Sequence, residues 1–232
     1  MRRLLFTLVV IVALLFVADR AALAGAQSRL AAEVQRQENL PRKPSAKLIG
    51  FPFLTQALSG HYQGGRIQMD DLRTQKLLVS NLTIDLRNVD LPVTRLVSGK
   101  VGVVPVGKVT GVAMVSYSEL ARATGVPGLR ISPKGEKLEL RFAIDQFGTS
   151  TPVVATARVG VGEQAVRITS VQIQGAALPD QLTSAALGQI QSSLAFGVLP
   201  YGLKVSDVRV ADTGIEVSAQ ASNTVLHPPA TG

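Results

Sequence analysis

Residues 102–108 (GVVPVGK) have the spacing of a phosphate-binding G-x-x-x-x-G-K loop. That chemistry needs a Ser or Thr next, to hold magnesium, and a helix opening behind the lysine. Val109 stands in the first place, and 109–115 alternates like a strand. Residues 160–165 (GVGEQA) fit the dinucleotide pattern G-x-G-x-x-A, yet Val166, Arg167, Ile168 and Thr169 alternate like the second strand of a hairpin, so a turn is predicted there. Zinc chemistry has too few ligands: the chain has no cysteine and only His61 and His227, with no H-x-x-x-H. Serine hydrolysis asks for a G-x-S-x-G elbow or a histidine base, and only His61, beside Tyr62, is on offer. Asp70, Asp71, Asp85 and Asp90 fall on polar strand faces or turns, where a solvated carboxylate is the default. No catalytic residue, no metal and no cofactor is expected. A lipid or glycan hydrolase using His61 with a nearby carboxylate stays as one alternative.

The elements around these residues begin with an export signal. Arg2 and Arg3 precede residues 4–18, fifteen positions without a charge, and Ala22-Leu23-Ala24 offers a small-x-small cleavage site. The run suits a secretory signal and is short for a span, which takes roughly 20 residues. Asp19 and Arg20 interrupt it, while 21–26 could extend an uncleaved anchor, so 1–24 reads as signal peptide or membrane anchor. Residues 25–44 read as a leading helix or stalk, closed by Pro41 and Pro44, 45–226 as a single domain, and 227–232 as a flexible tail. Export to the cell envelope or periplasmic space removes the nucleotide pool, and without cysteine the domain must be held by its core.

From about residue 47 to 180 the apolar period is two, the mark of a sheet with one wet face. Leu138, Leu140, Phe142 and Ile144 form the clearest strand, and Val153, Ala155, Ala157, Val159 and Val161 another. Three strands change phase midway: Leu82, Ile84 and Leu86 hand over to Val89 and Leu91, Val166 and Ile168 to Val171 and Ile173, and Leu203 and Val205 to Val208 and Val210. A one-residue slip flips every side chain unless a bulge absorbs it, and bulges add twist, so a strongly curved antiparallel sheet is predicted. Short helices are expected at 53–58 and 118–123, the second behind a capping box at 116–119 (SYSE). The longest helix after the signal is expected late, with Leu182, Ala186, Leu187, Ile190 and Leu194 on one side, and no charge occurs from 181 to 203. Gln181, Gln189, Gln191 and Pro200 argue against a span there.

A formal charge of +8 with 4% aromatic residues and no tryptophan does not suggest nucleic acid, whose single-strand binders need stacking rings and whose duplex binders need dense Lys/Arg clusters. Anionic headgroups at a membrane surface, or polyanionic glycans, are more natural partners. An apolar sheet beside a charge-free helix also suits a cavity for acyl chains. Burying a dozen methylenes is worth about 10 kcal/mol, while one unpaired charge in the lining would cost several. Ordinary core is the other reading of the same composition.

Residues 48–56 (LIGFPFLTQ), followed by Gly60-His61-Tyr62 and Arg66-Ile67-Gln68-Met69, carry a family likeness: the chain resembles the actinobacterial LmeA-like phospholipid-binding proteins over about residues 21–226. The resemblance implies an α+β, tubular lipid-binding-like fold in which a strongly curved antiparallel sheet wraps around a long helix, with diacyl phospholipid, phosphatidylinositol included, held between them. It implies support of lipoglycan or envelope assembly without catalysis, and it places Phe51, Phe53 and Leu54 at the sheet-to-helix junction. On this reading Leu182, Leu187, Ile190 and Leu194 line one wall, Phe51, Phe53, Leu54 and Leu58 part of another, and Phe196, Leu199 and Tyr201 shape an opening. The alternative from another class is an envelope scaffold that docks a glycosyltransferase and has no lipid cavity.

Overall fold

Long strands with period-two burial dominate the computed structural model, which describes residues 2–73, 78–92, 103–146, 149–161, 166–174, 188 and 202–226. The order is α1 (Arg2–Gln37), β1 (Ser45–Ile49), α2 (Phe53–Ser59), β2 (His61–Arg73), β3 (Leu78–Asp90), β4 (Val104–Ser116), α3 (Tyr117–Thr124), β5 (Arg130–Lys134), β6 (Lys137–Gln146), β7 (Thr149–Val161), β8 (Val166–Gln174), β9 (Lys204–Val210) and β10 (Gly214–Leu226). A six-stranded sheet runs β1-β2-β3-β4-β10-β9 and a four-stranded sheet β5-β6-β7-β8. The register is antiparallel at β1/β2, β9/β10, β5/β6, β6/β7 and β7/β8. The α+β class with antiparallel sheets is as predicted. The late helix expected around 181–203 lies outside the described residues.

Phase slips in the sequence correspond to interruptions of the backbone. Arg158 faces Ser170 and the next pair is Val159 with Ile168, so Thr169 is the extra residue in β8, between the two apolar sets. Ser218 faces Asp207 and the next pair is Ala219 with Val205, which makes Ser206 the extra residue in β9. In β3 the slip coincides with Asn88 at φ +53°, and β3 continues through it to Asp90 without a turn. Asn tolerates this left-handed geometry better than most residues. An added Cβ on Gly107 of β4 would lie 3.0 Å from the Asn88 Cβ, so a small neighbour accommodates the kink.

The chain divides into two compact units, one of residues 1–69, 84–109 and 222–232 and the other of 70–83 and 110–221. The core of the second unit is built on β6 and β7, where large side chains face small ones. Leu138 pairs with Ala157, Leu140 with Ala155 and Phe142 with Val153, and all six are buried. Leu120 of α3, Tyr117, Leu129 and Ile131 belong to the same cluster. α3 starts at a cap: Ser116 Oγ accepts from the Glu119 N–H at 3.3 Å, and Gly125 closes it at φ +69°. The hairpin β5/β6 turns through Gly135 and Glu136, with Gly135 at φ +62° as a type II′ turn requires. Pro133 sits inside β5, an edge strand.

The first unit opens with α1, one unbroken helix through Ala24 and Gly25, ending where Asn39 turns left-handed (φ +49°) and the Leu40 N–H bonds back to the Gln35 carbonyl. It is long and apolar enough to cross a membrane. Its side chains from Arg2 to Ala18 are exposed, whereas Asp19 and Ala31 are buried. β1 and α2 pack against it.

Candidate lipid-facing site

The segment from Gly50 to Tyr62 owes its residue types to a small knot of contacts. Gly50 has φ +115°, and a Cβ there would lie 2.5 Å from the Gln56 amide nitrogen. Only glycine fits both conditions. The Gln56 side chain is buried; its Nε2 donates to the Pro52 carbonyl at 3.3 Å and its Oε1 accepts from the Gln63 N–H of β2 at 2.9 Å. Gln56 thereby links the N-terminus of α2 to β2. Phe53 is buried, its ring 6.4 Å from that of Tyr62, and burial raises the Tyr62 hydroxyl pKa. Gly60, left-handed at φ +75°, ends α2 by donating to the Gln56 carbonyl at 2.9 Å, and its own carbonyl accepts from the Leu91 N–H at 2.8 Å.

The N-terminus of α2 receives its cap from elsewhere in the chain. Pro52 has no side-chain cap to offer, and Asp19 of α1 supplies one: its Oδ1 accepts from the Leu54 N–H at 2.7 Å. Asp19 is 3% exposed, and its other oxygen pairs with Arg20. The Arg20 guanidinium lies 5.1 Å from the Phe51 ring centroid and 5.7 Å from that of Phe16, two rings that are 6.0 Å apart. Sequence reasoning took Asp19 as a mere interruption of the apolar run. Its partner stands 35 residues away, and no local pattern reports such a contact.

Four of the residues expected to line a lipid are therefore placed. Phe53 is buried, Leu54 is half-buried, and Phe51 and Leu58 are exposed, Leu58 to 80%. Leu182, Leu187, Ile190, Leu194, Phe196, Leu199 and Tyr201 lie outside the described residues. In the second unit an open cleft of about 480 Å³ runs between α3 and β5, with Tyr117, Leu129 and Ile131 as apolar lining and Arg122 and Arg130 at its polar edge. Glu119 holds Arg122 in an ion pair and accepts from the Leu78 N–H at 3.1 Å. These bonds, that of Arg122 foremost, hold the Glu119 carboxyl below the usual carboxylate range.

Groups that could do acid-base work are few. His61 Nδ1 pairs with Asp90 at an exposed position. The nearby Ser59 hydroxyl donates to the Gln56 carbonyl at 3.0 Å and accepts from the His61 backbone N–H at 3.3 Å. No group of three or more His, Cys, Asp or Glu that could hold a metal occurs among the described residues.

Antiparallel sheets, a helix long and apolar enough to cross a membrane and a motif knotted to that helix define an α+β protein. The sequence profile of the LmeA-like phospholipid-binding family matches residues 17–220, and the chain belongs to that family. The match begins two residues before Asp19, so the latch to α2 falls within it. No curated protein and no solved structure matches the chain.

Proposed function

We propose that this protein binds diacyl phospholipid and carries or presents it in the cell envelope without catalysing a reaction, at the surface of the membrane that α1 addresses. Membership of a phospholipid-binding family over residues 17–220 carries the reading. The apolar α1 and a formal charge of +8 support it, because anionic headgroups attract basic residues by about 1 kcal/mol each near the surface. Phe51, Phe53, Leu54 and Leu58 are proposed to belong to the surface that meets lipid, and Leu182, Leu187, Ile190, Leu194, Phe196, Leu199 and Tyr201 are proposed as further lipid-binding residues. Phosphatidylinositol is the proposed headgroup class and lipoglycan or envelope assembly the proposed setting. Mass spectrometry of gently extracted protein is the test: co-purified diacyl lipid is expected. A chain that emerges lipid-free and takes up none from phospholipid vesicles would overturn the proposal.

The second reading is an envelope scaffold for a glycosyltransferase. It is favoured by the side-chain filling between Leu120, Leu138, Leu140, Val153 and Ala155, each at most 1% exposed, in the second unit. The same measurement separates the two, since a scaffold retains no stoichiometric lipid.

A further inference from the structure

Cleavage after Ala24 would remove Asp19, Arg20 and Phe16 together, and with them the contacts that tie Phe51 and Leu54 to this part of α1. The Asp19 carboxylate is almost fully buried and caps α2 through the Leu54 N–H, and Arg20 joins the Phe16 and Phe51 rings. Residues 4–18 form a charge-free stretch of about 22 Å along α1, shorter than the roughly 30 Å hydrocarbon core. With Arg2 and Arg3 at one boundary, Asp19 and Arg20 reach the other through local thinning of the bilayer and extension of the Arg20 side chain toward the headgroups. An arginine at that level can extend its charge to the headgroups while its stem and the adjoining phenylalanine rings stay on the apolar side. Beside Phe16 the folded domain presents exposed Phe51 (59%), in a segment whose Ile49 (49%) and Leu58 (80%) are exposed as well. Leu54 and Leu58 are one helical turn apart and so share a face of α2. Scattered exposed apolar residues need no explanation, but Phe51 adjoins the last turn of the apolar run through its contact with Phe16, and Ile49 and Leu58 belong to the same short segment.

We infer that α1 is retained as an anchor and that the Asp19 latch holds the Phe51–Leu58 edge of the first unit in the headgroup layer of the bilayer α1 crosses, so that the occupant of this apolar face is a lipid surface. The inference rests on the membrane placement proposed above and not on a lipid being held inside the protein. It differs from simple tethering, in which the domain would hang from α1 with α2 in water.

The absence of native cysteine allows single-site labelling of the full chain. Leu58→Cys and Glu38→Cys, each carrying an environment-sensitive dye, are reconstituted in phosphatidylcholine/phosphatidylglycerol vesicles containing headgroup spin-labelled lipid. Glu38, the first residue after α1, lies about 27 Å beyond Arg20 in the direction of the helix and serves as the distant reference. Quenching at 58 is expected to exceed that at 38 by at least about twofold, as for a face set into the headgroup boundary. Asp19→Ala should bring the two sites level without releasing the protein from the vesicles, and Asp19→Asn, which can still accept from the Leu54 N–H, should restore part of the difference. Intact mass of the membrane-extracted chain should include residues 1–24. A mature chain beginning at Gly25, equal quenching at 58 and 38, an unchanged ratio in Asp19→Ala, or protection of site 58 by a second copy in place of lipid would each overturn the inference. Lipid co-purification is unaffected by all four outcomes, so the two proposals fail separately.

Discussion

A methyl group added at Gly50 would collide with the Gln56 amide and demand a backbone angle that L residues rarely adopt. Gly50→Ala is expected to lower stability by about 1–3 kcal/mol, read as a shift of the urea midpoint at unchanged slope. His61 is different: exposed and paired with Asp90, it contributes no wall to an apolar site. His61→Ala should leave function, read as the amount and intactness of co-purified lipid, unchanged, and that result removes the hydrolase alternative. The motif at 48–56 was legible as a string of residues, a glycine followed by a proline between two phenylalanines. Its meaning was not, since the reasons for Gly50 and for the uncapped Pro52 are the Gln56 amide and the Asp19 carboxylate, both supplied by folding.

Among the elements, α3 shows a local signal and its structure in agreement. Ser116→Ala should cost about 1 kcal/mol through loss of the bond from the Glu119 N–H. Glu119 adds a pH dependence. Its carboxyl is held low by Arg122, so its contribution is present above the unfolded value of about 4.3 and lost as pH falls through the lower folded value. Glu119→Gln should therefore separate from the parent in urea unfolding at neutral pH, and the gap should narrow on acidification below that range. Strands were legible from alternation, and the handovers at Thr169 and Ser206 from phase, because a period of two leaves a bulge nowhere to hide. β5 was not legible: five residues with Pro133 near the end resemble a loop, and only pairing with β6 makes them a strand.

At the level of the whole molecule, the second unit depends on the filled ladder between β6 and β7. Leu140→Ala removes a side chain with no exposure and should cost about 2–5 kcal/mol in thermal or denaturant unfolding. Alternation showed which side chains enter that core, yet it could not show the division into two units, because β2, β3, β4 and β10 each contribute residues to both. Composition likewise could not decide whether the apolar stretch at 4–18 is discarded or kept; Asp19 bears on it only once its partner in α2 is known. The edge of the four-stranded sheet has a consequence for the protein at high concentration. The two-residue turn closes on Lys134 and Lys137, so at the next pair, Pro133 with Leu138, the backbone nitrogen of residue 133 points away from β6, where proline has no hydrogen to donate. A neighbouring copy cannot extend the ladder through that position, and Lys134 adds charge beside it. Colloidal resistance to fibrillar stacking is thus written into a single imino acid, and Pro133→Thr should shorten the lag before amyloid-dye-positive material forms in concentrated solution.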